Sequence, residues 1–270
     1  MIELEWDPAF APLALTLATA TAACVASHYA LTPARVEGWL SERGWDAERA
    51  QAAGVMGARL LRSLAFGAAA GVVFATGALP DLWAPPPAWA WGVALVGVLA
   101  IAPILWAAAG GVLHQARYPE VRAKRWSRGL AAAEAGSWAV YLLAYEAVFR
   151  GSLLFGLAAW GGAWPALLIA TALYVLAHLP KDAGECVGCA VMGLAFGALA
   201  FRSGGVIAPW LLHLGIALSA SAFAVARRSP MPSSPSSPSS ARLESSSCAA
   251  DRRRAARPLG TRPDGVRTRP

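Results

Sequence analysis

The chain has 270 residues, 57% of them hydrophobic, and only 14% carry a formal charge, against about 25% in an ordinary soluble domain. That balance points away from a soluble enzyme and predicts an all-α, polytopic membrane helix bundle embedded in a lipid bilayer. The net charge of +7 is equalled by the stretch from Arg227 to Pro270 alone, where ten arginines face Glu244, Asp251 and Asp264, so the remainder is near neutral and no nucleic-acid partner is expected.

Apolar run length predicts about seven transmembrane helices, near 9–31, 60–80, 88–113, 130–158, 164–180, 186–202 and 205–226, with six to eight compatible with the pattern. The first run follows Glu3, Glu5 and Asp7 rather than a basic segment, so it reads as a retained span and not a cleaved signal. Residues 32–54, with Trp39 and Trp45, read as an amphipathic helix at the membrane surface. The connection 81–87 has no basic residue. The connection 114–129 carries Arg117, Arg122, Lys124, Arg125 and Arg128 against Glu120, which places it in the cytoplasm by the positive-inside rule. Seven spans then put the N-terminus outside and the arginine-rich C-terminus in the cytoplasm, in an integral protein of the plasma (inner) membrane. Residues 229–250 are Ser/Pro-rich and cannot build a packed core. The chain divides into N-terminal spans and loops (1–129), a core carrying the polar residues (130–226) and a disordered tail (227–270).

An ionisable side chain in the middle of a membrane helix costs roughly 2.5–3.5 kcal/mol on insertion scales, so such residues are rare and have a task. Glu146 and Arg150 lie inside the fourth apolar run, four residues apart and thus on one helix face, either as a structural ion pair or as part of a site. Tyr174 and His178 stand four apart in the fifth span. His213 lies in the seventh. Each histidine alone is compatible with simple packing, but a carboxylate and two imidazoles on three apolar helices form a competent proton-transfer set. The four cysteines, Cys24, Cys186, Cys189 and Cys248, are too few and too scattered for a disulfide framework. Cys186-Val-Gly-Cys189 has redox or metal spacing without a second pair, and reads as small packing residues at a helix start. A glutamate with two histidines could bind zinc, yet no HExxH spacing is present. A metal therefore stays unassigned, and no other cofactor is expected.

The run Tyr145-Glu146-Ala-Val-Phe149-Arg150-Gly151 resembles the first motif of the CPBP intramembrane proteases, a family that includes the type-2 prenyl-protein (CaaX) endopeptidases and bacteriocin-processing or immunity proteins. The family pattern is Glu-Glu-x-x-x-Arg, Phe-x-x-x-His and His-x-x-x-Asn on successive membrane helices. Tyr174-x-x-x-His178 stands in the second place and His213-x-x-x-Ala217 in the third, so the resemblance covers about 130–226. Tyr145 stands where the family has its first glutamate, and Ala217 where it has the asparagine.

The resemblance implies an endopeptidase cleaving a membrane-associated protein or peptide. In it, Glu146 and His178 activate water, His213 donates to the oxyanion, Arg150 pairs with Glu146, and Tyr145 and Tyr174 support the site. Two other functions fit the same residues: an inactive binding or immunity protein of the same fold, and a transporter or proton relay.

Overall fold

The computed structural model describes residues 11–77, 79–178 and 183–228. Among them every regular element is helical. Helix α1 (Ala11–Val25) passes into a π-helical turn (Ala26–Ala30). The short α2 (Pro33–Ser41) follows, started by Thr32, whose side chain accepts from the Arg35 amide, with proline at the first helical position. Helix α3 (Ala47–Phe74) begins at Asp46, which caps the Arg49 amide at 3.0 Å.

This differs from the sequence expectation, in which a span began near 60 and a surface helix occupied 32–54. The Asp46 cap, with Glu48 in the first turn, starts the helix thirteen residues earlier than hydropathy does. Gly54 lets α2 lie close against it, since a Cβ there would fall 2.9 Å from the Glu37 Cβ.

Helices α4 (Ala88–Ala108) and α5 (Val112–Arg117) come next. Ser127 then caps α6 (Arg128–Glu146). A π-helical segment (Ala147–Leu153) joins α6 without a break to α7 (Leu154–Gly161). Gly162, at φ +83°, takes a conformation that side chains disfavour and turns the chain into α8 (Ala163–Leu176). Helices α9 (Ala183–Ser203) and α10 (Ile207–Ala226) complete the bundle.

Six of these runs are long and apolar enough to cross a bilayer: Leu13–Ala30, Ala47–Phe74, Ala88–Ala108, Arg128–Gly161, Gly184–Ser203 and Ile207–Ala226. Helix α8 is the seventh apolar helix. Its 14 residues span about 21 Å, less than the roughly 30 Å of a hydrocarbon core. The chain is thus a polytopic helical bundle. Apolar side chains such as Leu64, Val96, Ile104 and Leu168 stand on the outer surface, where lipid rather than water is the natural solvent.

The connections gather at two ends. At one, Arg62 donates to the Leu31 carbonyl, Gln51 to that of Glu120, and Arg228 to that of Ala123. At the other, the Val206 amide donates to Leu82 O at 3.0 Å, and Phe74 packs on Trp83. The largest core cluster joins α1, α3, α6, the π segment, α7, α8 and α9, and includes Phe66, Tyr145, Phe149, Leu153 and Leu154. The acidic residues Glu3, Glu5 and Asp7, residues 179–182, Cys248 and the Ser/Pro/Arg-rich segment from 229 onward lie outside the described residues, as do the expectations that rest on them.

Candidate active site

Three of the expected polar residues meet directly. Glu146, the last residue of α6, is 0% exposed. Arg150 Nη1 donates to its Oε1 at 3.2 Å. Nδ1 of His213, from the first half of α10, lies 2.6 Å from the same oxygen. With the carboxylate as acceptor, Nδ1 is the donor, and Nε2 is the ring nitrogen left to face elsewhere. The Arg150 guanidinium stacks 4.1 Å above the Tyr174 ring and 5.1 Å from that of Phe196. Phe196 also packs against His213. Removing charge from water is costly, and here one guanidinium, one imidazole, one carboxylate and two aromatic faces share that cost.

His178 lies just past the end of α8. Its Nδ1 donates to the Tyr174 carbonyl at 2.8 Å. A carbonyl can only accept, so the proton sits on Nδ1, and the Nε2 of a neutral ring carries a lone pair. Tyr145 stands between the histidines, with ring centroids 6.4 Å from His178 and 6.2 Å from His213, and it stacks on Phe149 at 4.4 Å. Its buried Oη meets no partner among the described residues.

A cavity of about 340 Å³ collects these groups. Tyr145, His178, His213 and Ala217 all border it. Glu146 does not: it reaches the cavity through His213. Ala217, buried against Trp138 and Leu142, brings no hydrogen-bonding side chain to the wall. Among the described residues the carboxylates that border the cavity are Glu120 and Glu185, each engaged by an arginine, Arg59 and Arg117 respectively. Among the described residues no three His, Cys, Asp or Glu side chains gather as a metal-binding set. Cys186 donates its thiol to the His178 carbonyl at 3.4 Å.

A second buried ionic cluster was not anticipated. Arg59 of α3, 1% exposed, donates to Glu134 Oε2, Ser137 Oγ and Glu120 Oε2, each at 3.0 Å. Its guanidinium lies 3.9 Å over Trp138, whose indole N–H donates back to Glu134. The cluster ties α3 to α6 and to the loop after α5. Part of the signal was present in the sequence, because Glu134 is an ionisable residue inside the apolar run 130–158, whereas Arg59 falls just before the run 60–80. Tyr118, in the same loop, borders the cavity. Burial, reinforced by Glu185 and Glu120, holds its phenol well above the ordinary tyrosine range.

No curated protein and no solved structure matches the chain. Residues 129–219, which carry Tyr145, Glu146, Arg150, Tyr174, His178, His213 and Ala217, match the family model described as Rce1-like, Type II CAAX prenyl endopeptidase Rce1-like.

Proposed function

We propose that this protein is an intramembrane endopeptidase that hydrolyses a peptide bond in a membrane-associated protein or peptide. The observation that carries the reading is the Glu146–His213 contact of 2.6 Å, set behind a cavity that His213 and His178 both border.

In this reading His178 is the general base. Its Nε2 lone pair takes a proton from water as the water oxygen bonds to the scissile carbonyl carbon. The carbonyl oxygen becomes an oxyanion. His213, in the imidazolium form that Glu146 neutralises, donates Nε2–H to it. Tyr145 Oη is a second donor in reach of the same cavity, in place of the hydrogen bond that Ala217 lacks. Collapse of the intermediate breaks the C–N bond, and the proton held on His178 passes to the leaving amine. Glu146, expected from the sequence to polarise the water itself, acts here through His213, because it has no exposed surface. Arg150 fixes Glu146, and Tyr174 fixes both Arg150 and His178. No cofactor enters these steps.

In this reading the end of the bundle holding Leu31, Glu120 and Arg228 is cytoplasmic, which the basic loop 114–129 supports. The N-terminus then lies outside, and the substrate approaches from the cytoplasmic face of the plasma (inner) membrane.

One observation favours a second reading, an inactive binding protein of the same fold: no motif carboxylate borders the cavity. Reconstituted protein decides between them. A membrane-tethered reporter peptide library should be cut by wild type and spared by His178→Ala and His213→Ala, with all three accumulating equally in membranes. Binding without cleavage by wild type would establish the second reading. Unchanged cleavage by both variants would overturn the catalytic assignment.

A further inference from the structure

Arg59 and Arg62 lie three residues apart on α3, and their surroundings are opposite. Arg59 is held by two carboxylates, Glu134 and Glu120. Arg62, half-buried, has its Nε donating to the Leu31 carbonyl at 2.9 Å, and its two Nη groups meet no acceptor among the described residues. A guanidinium withdrawn from bulk water and left without a counter-charge is unfavourable. The direction it faces matters. Arg62 borders the 340 Å³ cavity and also a second cavity of about 190 Å³. The two meet at Arg62, Tyr141, Tyr145 and His178.

The second cavity is also bordered by Ser27 and His28. Ser27 is 8% exposed, and its Oγ has no partner among the described residues. Both residues belong to the π-helical turn that ends the first span, and π turns within helices recur at functional sites. The Leu31 carbonyl that orients Arg62 directly follows that turn. Among the described residues no acidic side chain borders this cavity. Its polar set is a cation with an end-on fork of N–H donors, the Ser27 hydroxyl, the phenols of Tyr141 and Tyr145, the Cys24 thiol and two imidazoles. That set matches an acceptor-only, planar anion.

We propose that Arg62 and Ser27 form a carboxylate-binding subsite beside His178, which seats a carboxylate of the bound peptide and so sets which bond meets the catalytic histidines. The proposal rests on the endopeptidase reading for its purpose, but the site binds whether or not hydrolysis follows. The carboxylate has two sources, the peptide's C-terminus or an acidic side chain.

The test measures equilibrium binding to full-length protein in nanodiscs, in the Glu146→Gln background, where hydrolysis is slowed by about 10²–10³ and the probe outlasts the measurement. Fluorescent N-palmitoylated peptide pools are compared in three forms: free C-terminus without acidic residues, the same pool amidated, and the amidated pool with one internal glutamate. A charged hydrogen-bonded pair predicts at least about a tenfold advantage of one charged pool over the neutral pool. Which pool gains identifies the source. Arg62→Gln should abolish the advantage, while Arg62→Lys and Ser27→Ala should each reduce it. Should Arg62→Gln fail to fold, the parent protein suffices: propionate should displace the favoured pool, and propionamide should not. Equal binding of the three pools, an advantage that survives in folded Arg62→Gln, or equal competition by propionamide would overturn the subsite. A retained carboxylate preference in a protein that cleaves nothing would leave the subsite standing and remove the endopeptidase reading.

Discussion

Nδ1 of His213 and Oε1 of Glu146 lie 2.6 Å apart, a contact that fastens α10 to the junction of α6 and the π segment. The same Oε1 also accepts from Arg150. Glu146→Gln keeps the side-chain shape and removes the charge that neutralises a protonated His213. Weakening one oxyanion donor costs about 10²–10³ in kcat, and that is the loss expected for this variant. Single-turnover cleavage in proteoliposomes, normalised to folded protein, reads it. A Glu146→Gln enzyme as fast as wild type would detach the carboxylate from the chemistry.

His178 has a separate task. Removing a general base costs about 10²–10⁴ in rate, so His178→Ala should lose that much of kcat while binding of an uncleaved peptide changes little. The ring is half-buried at a helix end, and its loss should leave thermal stability close to wild type. A fall in affinity matching the fall in kcat/KM would instead make His178 a binding residue.

Ala217 offers a gain-of-function experiment. It borders the 340 Å³ cavity with His213 one helical turn away, and an amide there would add a donor to the wall. Ala217→Asn should raise kcat by about tenfold, at the low end of what one oxyanion donor is worth. The same substitution combined with Tyr145→Phe should hold activity near wild type, since one donor replaces another. Tyr145→Phe alone should reduce kcat. Activity unchanged in both single variants would exclude this wall from transition-state contact.

The Arg59 cluster governs stability rather than turnover. Arg59→Leu leaves Glu134 buried and uncompensated, and breaking such a pair costs about 3–5 kcal/mol. The double variant Arg59→Leu/Glu134→Leu removes both charges and should recover most of that loss. Thermal unfolding in a mild detergent distinguishes the two. A double variant no more stable than the single one would contradict the pairing.

Tyr118 gives the bundle an alkaline limit. Desolvation, with Glu185 and Glu120 adding to it, raises its folded pKa above the ordinary value. The unfolded chain ionises near pH 10, and below that pH the phenol is neutral in both states and contributes no pH dependence. Above it the unfolded state releases a proton that the folded state keeps, so stability falls by up to about 1.4 kcal/mol per pH unit. Tyr118→Phe should remove that share of the alkaline slope in pH-dependent unfolding. An identical slope in both proteins would place the loss in other groups.

The membrane character and helical class of the chain were readable from composition and run length, because a bilayer imposes its thickness directly on sequence. Glu146, Arg150, His178 and His213 were readable for the converse reason: each interrupts an apolar run. Partner choice among them was not. Motif order along the chain says nothing about which helix faces turn toward each other, so the contact between Glu146 and His213 needed the packing of α10 against α6. The start of α3 was hidden for another reason. Asp46 and Glu48 act through capping and the helix dipole, which hydropathy counts only as charge. Arg59 was overlooked because a fully paired ion looks, along one dimension, like an ordinary loop cation.

The π segment Ala147–Leu153 has a consequence for how this gene can change. A widened turn holds one residue more than α-helical winding requires. Deleting a residue there would let the backbone relax into ordinary helix, a lesion the fold could survive. Side chains beyond the segment would keep their faces, because the wide turn is what absorbs the extra residue, while those inside it, Arg150 among them, would shift by about 100° around the axis and lose their present geometry on Glu146. The segment is a place where the reading frame of the helix, rather than the identity of any side chain, separates a working site from an intact but silent protein.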